Sequence, residues 1–99
     1  MQFVIIGEDK TEALENRQKT RSDHLDYWKG QGQIFLAAGP FLDGQDQPVG
    51  SMIVIEAASL EEAEKLAQAD PYMLAGVFET LSVKRWNWIF GNPHISEEN

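Results

Sequence analysis

The amino-acid sequence predicts an α+β domain with the element order β-α-β-β-α-β. Three observations carry that prediction. Short apolar or alternating runs suited to strands recur at residues 2–6, 33–38, 50–57 and 77–90. Two stretches with helical spacing, residues 11–30 and the run from Leu60 to the Asp70-Pro71 break, fall after the first strand and after the third. Turn residues stand at nearly every junction.

Phe3 to Ile6 are uninterrupted apolar residues rich in β-branching, which fits a strand buried on both faces. Gly7 to Lys10 is expected to turn the chain. Residues 11–30 carry helical periodicity and end at Gly30-Gln31-Gly32, a stop signal. Residues 33–38 form the second strand, and Gly39-Pro40 is expected to break its regular pairing. Asp43-Gly44 to Pro48 is a hairpin loop. Residues 50–57 alternate, with Ser51, Ile53 and Ile55 on one face and Met52, Val54 and Glu56 on the other.

Ser59-Leu60-Glu61-Glu62 is a capping box, and Leu60, Ala63, Leu66 and Ala67 give the second helix one apolar face. Asp70-Pro71 ends it, because the residue before proline is pushed out of helical geometry. Pro71 to Ala75 makes a short turn closed by Gly76. Residues 77–90 are a final strand or strand pair. Val77, Leu81 and Val83 are apolar, then Trp86, Trp88 and Phe90, so the phase flips and a bulge is expected near Lys84-Arg85. Residues 1–90 are read as one domain and 91–99 as a polar C-terminal tail that frays. This is the ferredoxin-like arrangement, an antiparallel sheet with both helices on one face. The bare face carries too many large apolar side chains to meet water, so a homodimer through it is expected.

The chain has 99 residues and a net charge of −8, with 16 acids against 8 bases. Phosphate backbones repel such a chain, so no nucleic-acid partner is expected. The absence of cysteine removes disulfide and thiolate chemistry. Phe3 to Ile6 is too short for a signal sequence or a membrane span, which gives a cytoplasmic expectation and no membrane partner. No metal site is expected, since His24 and His94 are far apart and no metal-ligand spacing occurs. No cofactor is expected either: Gly30-Gln31-Gly32 follows a helix rather than opening one.

The first helix carries the candidate chemistry. At 100° per residue, Leu14, Arg17, Arg21, His24, Leu25 and Trp28 share one arc. A cation under cover needs a partner, which implies a pocket, an ion pair or an interface. His24 can act as base or acid near neutral pH, and Arg17 and Arg21 can hold an anionic ligand beside it. The same histidine could equally be structural. Asp70 can project into a cleft and orient a histidine, or simply cap the turn that Pro71 begins. Gly39-Pro40 and Gly50-Ser51 sit where glycine lets a backbone or a ligand approach closely. Ser51 and Tyr72 could line a pocket, although a structural role is the simpler account of each. Trp28, Trp86 and Trp88 are expected to be core and interface anchors.

An ordered set of short motifs then stands out. It runs Arg21-Ser22-Asp23-His24-Leu25, Ala38-Gly39-Pro40, Gly50-Ser51, Ser59-Leu60-Glu61-Glu62-Ala63, Asp70-Pro71-Tyr72, Ala75-Gly76-Val77, and finally Val83 and Trp86. Together these resemble the YCII-related (YciI-like) family over about residues 2–88. The resemblance implies a ferredoxin-like domain that dimerises through its sheets as a dimeric α/β barrel. It implies an active site on a histidine–aspartate pair, here His24 and Asp70. One branch of that family eliminates chloride from a chlorinated hydroxyhydroquinone, and the fold is similar to muconolactone isomerases. Two functions follow as expectations. One is an enzyme using His24 and Asp70 for proton transfer in elimination or isomerisation, with Arg17, Arg21, Ser51, Tyr72, Gly39 and Pro40 around a small anionic or phenolic ring. The other is a non-catalytic ligand-binding or accessory dimer with a structural pair. An oxygen-using or haem-degrading enzyme of similar fold would need redox ligands that these residues do not supply.

Overall fold

The computed structural model describes residues 1–94. The elements are β1 (Gln2–Asp9), α1 (Leu14–Lys29), β2 (Phe35–Leu42), β3 (Pro48–Glu56), α2 (Leu60–Gln68), α3 (Pro71–Leu74) and β4 (Phe78–Trp86). A 3₁₀ turn at Gly32–Ile34 leads into β2. The four strands form one antiparallel sheet in the order β2-β3-β1-β4. That order is the ferredoxin-like arrangement, with each helical crossover skipping one strand.

Alternation along the strands sorts the side chains into two layers. Phe3 pairs with Ile55 and Ile5 with Ile53, and all four are buried beneath the helices with Trp28, Ala63 and Ala67. Leu81 and Val83 of β4 extend this layer. A second cluster of Ala13, Tyr72, Val77 and Phe78 supports α3. Gly7 makes that support possible. A Cβ there would fall 2.5 Å from the Phe78 ring. Phe78 in turn meets Tyr72 edge-on at 5.7 Å between ring centres. Val4, Ile6 and Met52 lie on the opposite face with Val54 and Trp86.

Several boundaries depart from the sequence expectation. β1 runs on to Asp9 instead of turning after Ile6, because β3 and β4 both keep pairing with it. Gly39 and Pro40 do not break β2. They pair with Met52 and Ser51, well inside the strand. β2 is an edge strand, where proline's missing N–H can face outward at no cost to the ladder. No bulge occurs at Lys84-Arg85, which pair in register with Val4 and Phe3. The apolar phase flips there because Trp86 belongs to the open face while Val83 belongs to the core. The register shift in the β1–β4 pair falls at Glu8/Asp9 instead.

The capping box forms with one change of partner. Ser59 Oγ accepts from the Glu62 amide at 3.1 Å, while Glu62 reaches back to the Ala58 amide at 3.2 Å rather than to that of Ser59. The strand pairing ends at Trp86, and residues 87–94 fold back. The Trp88 amide donates to Gln2 Oε1 and the His94 ring donates to the Leu36 carbonyl, so this segment reaches from β1 to β2. Asn92 is buried within it, so residues 91–94 are held where a frayed tail was expected. Residues 95–99 of that expected tail lie outside the described residues.

Candidate functional site

The site begins with the stripe of α1 that faces the protein. Its buried members are Arg17, Thr20, His24 and Trp28, spaced to fall on one helix face. Arg21 is exposed, and Leu14 and Leu25 are half-buried. The stripe is thus more polar than a simple amphipathic helix would carry, and each polar group must find a partner.

Asp70 supplies two of those partners. It follows α2 and precedes Pro71, with its backbone extended at φ −59° and ψ 129°. Its carboxylate is 1% exposed and accepts three hydrogen bonds. His24 Nδ1 lies 2.7 Å from Oδ1, the Tyr72 amide donates to Oδ1 at 2.9 Å, and Trp28 Nε1 donates to Oδ2 at 2.9 Å. Bonds to a charged group contribute about 1.5–3 kcal/mol each, so this carboxylate is well compensated. The cap and the histidine partner, alternatives from the residues alone, are both present. Proline at the first helical position and the Gly76 turn at φ +78° set the short α3 that carries Tyr72.

A carboxylate only accepts, so Nδ1 of His24 must carry the proton. In the neutral ring Nε2 is then a bare acceptor, and it has no protein partner among the described residues. The imidazole stacks on Tyr72 with ring centres 3.9 Å apart and planes 14° from parallel. Between that stack and Asp70 the ring has little freedom to turn.

A second buried carboxylate balances Arg17. Asp9 Oδ2 accepts from Arg17 Nε at 2.7 Å, and both side chains are nearly sealed from water. Arg17 Nη2 donates to Ser51 Oγ at 2.6 Å, and the guanidinium carbon lies 4.5 Å from the centre of the Tyr72 ring. Guanidinium cannot accept, so Ser51 must accept here, and its own hydrogen remains free to donate. The sequence alone does not single out Asp9. The period-two pattern Phe3-Ile5-Gly7-Asp9 would have found it had the strand been carried to its true end. The indole of Trp28 was expected as packing alone, and its N–H is a further component of the site.

Arg17, Arg21, His24, Ser51, Tyr72, Gly39 and Pro40 all line one cleft of about 220 Å³. Gln18, Leu25, Ala38 and Pro48 complete its walls, and Asp70 lies behind His24. An apolar cavity of about 150 Å³ holds a benzene, so this space suits one substituted six-membered ring. The expected close approach at glycine is real at Gly50, where a Cβ would meet the Gly7 carbonyl oxygen at 2.7 Å. No backbone approaches Gly39, where nothing lies within 4 Å and the position opens on the cleft. No cluster of three potential metal ligands occurs among the described residues. No described helix is long and apolar enough to cross a membrane.

A ferredoxin-like sheet with two helices on one face defines an α+β class, here with a buried histidine–carboxylate pair beside a cleft of about 220 Å³. Residues 1–87 match the YCII-related domain, and the chain belongs to that family. It is 38% identical to Protein YciI of Escherichia coli over an alignment that covers 91% of this chain and all of that protein. The structure is similar to the 5-chloro-2-hydroxyhydroquinone dehydrochlorinase TftG of Burkholderia phenoliruptrix, solved in complex with 2,5-dihydroxybenzoquinone. The TM-score is 0.81 at 28% identity, covering 88% of this chain and 94% of that one. An antibiotic biosynthesis monooxygenase shares the fold at a TM-score of 0.53 and 16% identity, over 90% and 99% of the two chains.

Burial raises both tyrosines of the site region above their ordinary value of 10.0. At Tyr72, Arg17 and Arg21 pull against this, while at Tyr27 the charge of Asp70 adds to it. Tyr72 is therefore a phenol at neutral pH. Above the unfolded value the folded chain holds more protons than the unfolded chain, so stability falls as pH rises through that value toward the raised folded one. The urea midpoint should drop as the pH rises through 10.0 and above, and drop less in Tyr27→Phe and Tyr72→Phe. An equal drop in all three proteins would contradict the assignment.

Proposed function

We propose that this chain is a small-molecule enzyme in which His24 moves a proton at Nε2 while Asp70 holds the ring and balances the charge it gains. The reading rests on one observation above all. The 2.7 Å bond from Nδ1 to a sealed carboxylate leaves Nε2 bare on a cleft-lining residue. A base held in this way is presented in one tautomer, and an adjacent carboxylate stabilises the imidazolium that forms.

The substrate class is a small ring compound bearing a phenolic or enolic oxygen and a net negative charge. His24 takes a proton from carbon or oxygen of the ring, and the electron pair left behind develops as charge on the ring oxygen. The Ser51 hydroxyl, Arg21 and the uncommitted Nη1 of Arg17 stand around the same cleft as donors for that oxygen. In isomerisation the imidazolium returns its proton to another ring atom. In elimination the pair on the ring oxygen swings back to form a ring double bond as a leaving group such as chloride departs from a saturated ring carbon with its own pair, and the imidazolium passes its proton to water. The likeness to a dehydrochlorinase solved with a dihydroxybenzoquinone supports the ring-sized, oxygen-rich substrate.

A second reading has an observation of its own in its favour. Asp70 also caps α3 and accepts from Trp28, so the pair would have a reason to exist in a ligand-binding dimer without catalysis. In both readings a second copy covers the open face of the sheet. Val4, Ile6 and Met52 are only half-buried there, and Ile89 and Phe90 of the returning segment are exposed at 65% and 90%.

The test of the first reading is turnover of a panel of hydroxylated and chlorinated hydroquinones and quinones by the wild type and His24→Asn. The expected loss in kcat is about 10²- to 10⁴-fold with ligand binding retained. Binding without turnover in the wild type favours the accessory dimer, and unchanged turnover in His24→Asn contradicts the enzyme reading. Light scattering after gel filtration should give twice the chain mass, and a single-chain mass would remove the dimer.

A further inference from the structure

Two residues of α1 grip one carboxylate. His24 and Trp28 are four apart, so they stand one turn above the other on the same helix face. His24 Nδ1 meets Asp70 Oδ1 and Trp28 Nε1 meets Oδ2. Oδ1 has a second donor in the Tyr72 amide, whereas Trp28 is the sole donor to Oδ2 among the described residues. The indole is 1% exposed, so water does not replace it.

We infer that Trp28 is a positioning residue for the His24–Asp70 pair, its indole N–H setting both the orientation of the carboxylate and the strength with which that carboxylate holds the His24 proton. The inference rests on the proposed proton-transfer role of the pair. A hydrogen bond to Oδ2 withdraws charge from the whole carboxylate and so weakens its pull on Nδ1–H. Without that bond the carboxylate would hold more charge against the imidazole and favour imidazolium. It would also be free to rotate about its remaining contacts. A phenylalanine could fill much of the same core space with no N–H to offer, so packing alone does not account for an indole in this pose.

The charged and titratable groups facing His24 are few. Arg17 and Arg21 on its own helix keep their charge across the accessible range. Tyr72 and Tyr27 are held as phenols by burial. Asp70 comes from the chain just before α3, and β2 and β3 present Ala38, Gly39, Pro40 and Ser51 to the cleft. A change at Trp28 therefore reaches the His24 titration through Asp70.

The experiment is an NMR titration of the His24 imidazole in the full chain, its signal assigned by its loss in His24→Asn. Replacement of Trp28 by 3-benzothienylalanine keeps the bicyclic shape and removes only the N–H, so the fold is preserved where Trp28→Phe would leave a void. The midpoint should move upward in the benzothienyl protein, and the acid limb of any pH–rate profile should move with it. An unmoved midpoint in that folded protein overturns the inference. Asp70→Asn tests the pair itself, apart from Trp28. A lowered midpoint there with no response at position 28 removes Trp28 alone, whereas no response to Asp70→Asn removes the pair itself.

Discussion

A carboxylate sealed from water has to be met by hydrogen-bond donors, and much of this fold is arranged around meeting Asp70. Its three donors come from two places. His24 and Trp28 belong to α1, and the Tyr72 amide belongs to the first turn of α3. The carboxylate thereby ties the first crossover helix to the short helix that follows the second. The same bonds fix which nitrogen of His24 is protonated and which side of the ring meets the cleft. One group thus ties the helices together and sets the His24 tautomer, so a change at Asp70 alone would confound the two.

The second buried carboxylate repeats the logic at the other end of the stripe. Asp9 neutralises Arg17, and Arg17 then orients Ser51 and lies over the Tyr72 ring that His24 stacks upon. Removing one member of such a sealed pair leaves a charge without compensation, which costs about 3–5 kcal/mol. The two carboxylates bracket a helix face that would be untenable on its own. Between them they turn the polar residues of that face into a rigid wall of donors with one bare acceptor. Gly7 contributes from below, since the missing Cβ lets Phe78 sit under Tyr72.

Much of this was legible in the sequence. Period-two runs and two helical stretches were enough for the element order, and the motif set pointed to His24 and Asp70 together. What was not legible has physical reasons. Strand ends depend on how long neighbours keep pairing, which one chain segment does not reveal. Asp9 therefore reads as a turn residue, and Pro40 as a break, from the sequence alone. The expected bulge at Lys84-Arg85 arose from assuming one buried face, whereas Trp86 belongs to the other. Trp28 looked like packing because an indole on an apolar arc gives no sign that its N–H has a carboxylate to reach. Asp70 posed a choice between cap and partner that geometry dissolves, since one carboxylate has enough lone pairs for both.

The site depends on His24 being held in a single tautomer by Asp70. Long-range nitrogen–proton NMR of the imidazole, recorded where the ring is neutral, measures this directly. A protonated Nδ1 and a bare Nε2 are expected. A ring that carries its proton mainly on Nε2 would contradict this.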